Sequence, residues 1–159
     1  MEWGCVLSEE QDTRRLGALL AECCATGLVI FLVGALGTGK TTLTRGFLRG
    51  LGYGGAVKSP TYTLIEPYAV AGRRVIHLDL YRVADAEELE HLGLRDLLDS
   101  EALVLIEWPE KGAGFLPAAD LQIRLDYVSG GREAHLHAFT QRGVRVIDGL
   151  RQQWTDVNA

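Results

Sequence analysis

Basic residues are scarce in this chain. Of 159 residues, 16 are Lys or Arg against 21 Asp or Glu, a formal net charge of −5. Only three are lysines: Lys40, Lys58 and Lys111. Tight nucleic-acid binding needs a basic surface to neutralise phosphates. The charge balance therefore argues against an unaided, high-affinity nucleic-acid binder and leaves room only for a local basic patch. Cysteine is rare too, with Cys5, Cys23 and the adjacent Cys24. Two neighbouring thiols and a distant third give neither a disulfide framework nor metal-ligand spacing. They read as reduced thiols of a cytoplasmic protein. No apolar run approaches the roughly 20 residues of a membrane span. The start, Met1-Glu-Trp-Gly-Cys-Val6, lacks the basic and apolar regions of a signal peptide. What is present is globular, 47% hydrophobic and 23% charged. The expectation is one cytoplasmic domain over residues 1–159 with no membrane partner, a core at about 8–140 and a loose tail after about 150.

Glycine, by contrast, is abundant, and it is concentrated where it matters. Residues 34–41 read Gly-Ala-Leu-Gly-Thr-Gly-Lys-Thr, the pattern G-x-x-x-x-G-K-[ST]. They follow the apolar run Leu28–Val33, which reads as a buried strand, and precede Thr41–Leu51, which reads as a helix. Strand, glycine loop and helix together predict a phosphate cradle. The backbone N–H groups of such a loop turn inward, and the positive end of the helix dipole faces the anion. Gly37, Thr38, Gly39, Lys40, Thr41 and Thr42 are the candidate nucleotide-binding residues. Lys40 would reach the β- and γ-phosphates, and the Thr41 hydroxyl would sit on Mg²⁺.

Along the rest of the chain, Ser8-Glu9-Glu10-Gln11 has the form of a capping box opening a helix with Leu16, Leu19, Leu20 and Cys23 on one face. Gly50, Gly52, Gly54 and Gly55 end the phosphate-loop helix. Lys58–Ile65 reads as a proline-containing loop leading into a strand, Arg74–Leu80 as the next strand, and Ala86–Leu92 as a helix stopped by Gly93. Ala102–Ile106 reads as a fully buried strand ending at Glu107, followed by a Gly/Pro loop over Pro109–Pro117. Leu121–Tyr127 and Glu133–Phe139 alternate around Ser129-Gly130-Gly131, the mark of a hairpin. Residues 143–154 fit a strand or a helix. The fold class is α/β: a mostly parallel sheet with an antiparallel edge hairpin.

Two strands end in a carboxylate, at Asp79 and Glu107. Ligands collect at the carboxyl ends of strands in such a sheet. A P-loop nucleotidase needs one acid for Mg²⁺ and a group that orients or deprotonates the attacking water. Asp79 and Glu107 are the candidates for both catalytic and metal-binding roles, alongside Thr41 as a metal ligand. Thr61 and Thr63 lie in a loop of the kind that senses a γ-phosphate, or are simply strand threonines. Arg45, Arg49 and Lys58 form a contact patch or, more commonly, a solvated face. Trp108 is a buried strand-end residue or a partner anchor. His77, inside an apolar strand, reads as structural. His135 and His137 share a face without a third ligand and do not make a metal site.

The stretches Gly34–Thr42, Val57-Lys-Ser-Pro-Thr-Tyr-Thr63, His77-Leu-Asp-Leu-Tyr-Arg82, Glu87–Glu90 and Leu105-Ile-Glu-Trp-Pro109 resemble, in order and spacing, the TsaE family (formerly YjeE), over about residues 8–139. The resemblance implies a P-loop NTPase-like three-layer sandwich that binds ATP or ADP with Mg²⁺ and hydrolyses ATP weakly when isolated. It implies association with the TsaB and TsaD proteins in tRNA N6-threonylcarbamoyladenosine (t6A37) modification, with tRNA engaged through that complex. By motif, Lys40 and Thr41 carry over as phosphate and Mg²⁺ ligands and Thr42 as a nucleotide-site residue. Thr61 belongs to the switch-like loop. Asp79 carries over as the Mg²⁺-side acid, and Glu107 and Trp108 as site or partner residues. The family typically has Asp after the first loop glycine, where this chain has Ala35. The alternative is a small-molecule P-loop kinase with Asp79 as base, but such enzymes use an arginine-bearing lid and the loop at 109–117 carries only Lys111. A GTPase is disfavoured by the absence of Asn-Lys-x-Asp, and a nucleotide-dependent scaffold without turnover would differ only in mutants that bind but do not hydrolyse.

Overall fold

Apolar runs and their alternation build the sheet. The computed structural model describes residues 1–24, 27–98 and 101–158. In chain order the strands are β1 (Glu2–Leu7), β2 (Leu28–Val33), β3 (Ile65–Val70), β4 (Arg73–Asp79), β5 (Leu103–Glu107), β6 (Leu121–Val128) and β7 (Gly131–Ala138). The helices are α1 (Glu10–Cys23), α2 (Lys40–Gly50), α3 (Leu94–Leu97) and α4 (Gln141–Asn158), with 3-10 turns at Ala86–Leu92 and Pro109–Gly112. One sheet holds all seven strands in the order β1-β7-β6-β2-β5-β4-β3. β6, β2, β5 and β4 are parallel neighbours, while β7 and β3 run antiparallel at the two sides of that group. β1 adds antiparallel to β7. This is the mostly parallel α/β sheet with an antiparallel edge that the sequence predicts.

Helices α1, α2 and α4 cover one face, and the turns and α3 cover the other over β2, β5 and β4, which gives three layers there; β1, β7 and β6 leave that second face to solvent. Leu28, Ile30 and Leu32 of β2 pack with Leu16 and Leu20 of α1, Leu43 and Phe47 of α2, and Ile147 and Leu150 of α4. The alternate residues Val29 and Phe31 face a second cluster with Leu89, Leu94 and Leu116. β5 is buried at every position, so Leu103 and Leu105 serve the first cluster and Val104 and Ile106 the second. The helices α1 and α2 touch through glycines. A Cβ on Gly17 would lie 2.2 Å from the Leu43 carbonyl oxygen, and one on Gly46 would lie 2.2 Å from the Arg14 carbonyl oxygen.

Several elements differ from the sequence reading. β1 is absent from the sequence reading; in the structure Trp3, Cys5 and Leu7 face the core and Glu2, Gly4 and Val6 face outward. Its place is supplied by β7, with Glu2 opposite His137 and Leu7 opposite Arg132. Helix α1 is capped by Glu9 rather than Ser8. The return bond comes from Asp12, whose Oδ2 accepts the Glu9 N–H at 3.0 Å. Ala86–Leu92 is a 3-10 turn, not an α-helix. Asp85 accepts the Glu87 N–H, and Leu89 is its only buried residue. Residues 143–154 are helical, and α4 continues to Asn158 where the composition suggests a loose tail. Arg49 binds the loop carbonyls of Tyr53 and Gly55, at 2.6 and 2.7 Å, so it closes α2 rather than forming a contact patch.

Candidate functional site

Parallel strands deliver their carboxyl ends to one side, and that side carries a cleft of about 330 Å³. The loop between β2 and α2 forms its floor. Gly37 has φ 80°, and a Cβ there would lie 2.7 Å from the Tyr127 hydroxyl; Gly39 has φ 108°. Other residue types adopt these angles only with strain. The first helical amide to meet a carbonyl is that of Leu43, on Gly39 at 2.8 Å. The N–H groups ahead of it have no i−4 acceptor in the helix, and this leaves them for a ligand. Thr38 is buried behind the loop, and its hydroxyl donates to the Ala35 carbonyl at 2.8 Å. It braces the loop, while Gly37, Gly39, Lys40, Thr41 and Thr42 line the cleft.

Lys40 is the cation of the cleft floor, 5% exposed. Its Nζ donates to the carbonyls of Gly34 and Ala35 and stands 4.2 Å from the centroid of the Trp108 ring. Burial pushes its ammonium below the usual lysine range, against the pull of Glu107, Asp79 and Glu110. Trp108 is half-buried, has φ 57°, and also packs on Tyr81 at 5.1 Å.

β4 and β5 run side by side, with Asp79 opposite Glu107 in register. Both strand-end acids line the cleft and are 6% and 3% exposed. Asp79 Oδ1 accepts the Tyr81 N–H at 3.0 Å, and its Oδ2 accepts the Thr61 hydroxyl at 3.5 Å. Burial pushes the Asp79 carboxyl above the usual range; the Tyr81 N–H opposes this and the Glu107 charge adds to it. Glu107 Oε2 lies 3.5 Å from the Thr41 hydroxyl and 2.6 Å from His77 Nε2. Two hydroxyl–carboxylate pairs, Thr41–Glu107 and Thr61–Asp79, thus face one lysine.

The sequence-predicted residues Lys40, Thr41, Thr42, Thr61, Asp79, Glu107 and Trp108 therefore come together. Thr63 does not: it bonds Glu66 at 3.0 Å on the exposed side. The Lys58–Thr63 and Asp79–Arg82 motifs meet directly. The Asp79 N–H donates to the Leu64 carbonyl at 3.0 Å, and Arg82 covers the exposed Tyr62 ring at 4.3 Å. Sequence reasoning missed Glu10, Thr13, Leu36 and Arg132, which complete the lining. Arg132 donates to the Gly37 carbonyl at 3.0 Å, and Tyr127, opposite it in the hairpin, donates to the Leu36 carbonyl at 3.2 Å. The signal was topological: β6 runs parallel to β2, so the β6–β7 turn must emerge beside the glycine loop. His135 and His137 lie outside the cleft, beside Glu133 and Glu2 at 3.4 and 3.0 Å.

The comparisons with known proteins agree with this architecture. The family model "Threonylcarbamoyl adenosine biosynthesis protein TsaE" matches residues 7–134. This chain belongs to the TsaE family. The TsaE of Haemophilus influenzae is 52% identical over 123 residues, covering 77% of this chain and 78% of that protein. The Bacillus subtilis TsaE is 39% identical over 77% of this chain and 75% of its own length. Streptomyces coelicolor TsaE is 35% identical over 89% and 93%. Each carries the name tRNA threonylcarbamoyladenosine biosynthesis protein. The crystal structure of Bacillus subtilis YdiB superposes with a TM-score of 0.78 at 29% identity, covering 96% of this chain and 95% of that one. A TsaE chain is thus a protein of tRNA t6A biosynthesis, and the P-loop NTPase-like fold is shared with YdiB. Among the described residues no helix is long and apolar enough to cross a membrane.

Proposed function

We propose that this TsaE-family chain is a cytoplasmic, Mg²⁺-dependent ATP-binding protein. Its slow ATPase activity supports a TsaB–TsaD complex in t6A37 modification, and tRNA is engaged through that complex. One observation carries the reading: Lys40, Thr41, Asp79 and Glu107 converge on one cleft above a glycine loop whose helix-start amides, ahead of Leu43, have no helical acceptor. The amides of Gly37–Thr42 and the Lys40 ammonium bind the phosphates of ATP or ADP. Lys40 gives up its loop carbonyls when it does so, and Trp108 remains stacked over it.

The donor set is hard oxygen: one hydroxyl and two carboxylates. Among the described residues no cluster of three His, Cys, Asp or Glu holds a metal on its own. That fits Mg²⁺, which takes few protein ligands and relies on phosphate and water oxygens. Thr41 and Glu107, already paired, are the residues that would hold it, with Asp79 beside Glu107 on the neighbouring strand. Bound there, Mg²⁺ would neutralise charge on the β- and γ-phosphates. Asp79, held by the Tyr81 amide and Thr61, orients the attacking water, and its raised carboxyl suits proton transfer. Thr61 couples the Lys58–Thr63 loop to this acid and so couples the surface around Tyr62 and Arg82 to nucleotide state.

The test combines product analysis with capture. Phosphate released to water supports an ATPase; phosphate left on an added acceptor supports the kinase alternative. Capture of TsaB and TsaD by the wild type should differ between ATP, ADP and no nucleotide. Capture indifferent to nucleotide contradicts the switching role.

A further inference from the structure

His77 sits on the wrong kind of strand for an imidazole. β4 is buried from Val75 to Asp79, and His77 is 0% exposed beneath α2's face of the sheet. An apolar side chain would fill this place at no desolvation cost. The imidazole instead makes one contact that matters: Nε2 lies 2.6 Å from Glu107 Oε2. Its other nitrogen, Nδ1, is buried and has no partner among the described residues. A carboxylate only accepts, so this bond needs a proton on Nε2, and a neutral imidazole then leaves Nδ1 as a bare lone pair. A buried lone pair costs less than a buried, unpartnered N–H would in addition to a lost bond to Glu107.

We infer that His77 is a positioning residue: its Nε2–H clamps Oε2 of Glu107, so that the carboxylate meets the Thr41 hydroxyl and presents Oε1 to the cleft. The inference rests on the proposed Mg²⁺–nucleotide reading for its consequence, but its geometry does not depend on it. Glu107 is the last residue of β5 and would otherwise choose among several rotamers. Thr41, at 3.5 Å, holds it loosely, and Trp108, next in the chain, turns away at φ 57° to cover Lys40. The His77 bond is the short one of the set. Partners of this kind behind a metal-holding carboxylate typically change metal affinity 10–100-fold.

The experiment uses the full chain and fluorescent methylanthraniloyl-ADP, titrated in EDTA and in Mg²⁺. Five proteins are compared: wild type, His77→Leu, His77→Gln, Glu107→Gln and the double variant His77→Leu/Glu107→Gln. His77→Leu should bind the nucleotide in EDTA within about twofold of wild type and lose about tenfold or more in Mg²⁺ affinity. His77→Gln, whose amide reaches the Nε2 position, should recover most of that loss. In a Glu107→Gln background His77→Leu should add nothing. A merely structural histidine would lower binding equally with and without Mg²⁺, or act as strongly in the Glu107→Gln background; either result overturns the inference. If His77→Leu does not fold, a folded His77→Gln that has lost its Mg²⁺ response overturns it as well. A wild type that binds the nucleotide equally with and without Mg²⁺ overturns the proposed function instead. The clamp is then decided by the histidine's long-range ¹H–¹⁵N spectrum: protonated Nε2 with bare Nδ1 supports it, and the Nδ1–H tautomer refutes it.

Discussion

Replacing Asp79 by Asn should make the ligand-free protein more stable while disabling it. Asp79 and Glu107 are cross-strand neighbours in parallel strands, both nearly out of solvent. Adjacent strands lie about 4.8 Å apart, and two carboxylates roughly 6 Å apart at an effective dielectric of about 20 repel by about 3 kcal/mol. Burial adds to this cost, the Tyr81 N–H and the Lys40 ammonium offset part of it, and the Asp79 carboxyl is held above its usual range. An asparagine keeps an oxygen for the Tyr81 N–H at 3.0 Å and gives up only the long 3.5 Å contact with Thr61. The expected gain is about 1–2 kcal/mol, or roughly 3–6 °C in Tm for a chain of this length. The sign has a pH signature. A carboxyl held above its unfolded value of 3.8 costs the fold while ionised, and the cost falls away as pH drops through the raised value. The Asp79→Asn advantage should therefore be full at neutral pH and close in acid. Differential scanning calorimetry in EDTA, from pH 7.5 down to about pH 4, measures this. A variant less stable than wild type at pH 7.5, or a gap that widens in acid, would refute the reasoning.

Other perturbations test separate parts of the account. Gly46→Ala forces α1 and α2 apart, because its Cβ would start 2.2 Å from the Arg14 carbonyl oxygen; the expected loss is about 1–3 kcal/mol by denaturant unfolding, and a neutral result contradicts the close helix contact. Burial pushes the Cys5 and Cys24 thiols up to about 12, so in native protein at pH 8 a thiol reagent should modify Cys23 first and the other two only on unfolding; early labelling of Cys5 contradicts this. Ala35→Asp places a carboxylate beside the phosphates and should weaken ATP binding several-fold, more at low salt; equal or tighter binding would sink the idea that Ala35 relieves repulsion.

Much of this was legible in the residues because the decisive signals are local. A glycine loop between an apolar run and a helix, and carboxylates that close two strands, each state their role within about ten positions of chain. Lys40, Thr41, Thr42, Asp79 and Glu107 meet because parallel strands must end on one side. What stayed hidden depends on pairings of distant segments. β1 exists because β7 offers it an edge, and Arg132 reaches Gly37 only because the β6–β7 turn returns beside the glycine loop. His77 read as a structural histidine because nothing in Val-Ile-His-Leu-Asp announces that Glu107, 30 residues on, is its partner. Capping falls at Glu9 rather than Ser8 because Asp12, not Gln11, reaches back to the cap N–H.

The central claim is that the cleft above residues 34–41 is a Mg²⁺–ATP site read out through Lys40. Isothermal titration calorimetry of ATP with Mg²⁺ into the wild type and Lys40→Ala tests it most directly. The account predicts saturable, one-to-one binding by the wild type, weakened when Mg²⁺ is withdrawn, and no detectable binding by a folded Lys40→Ala. Equal binding by the two proteins, or none by either, would contradict it.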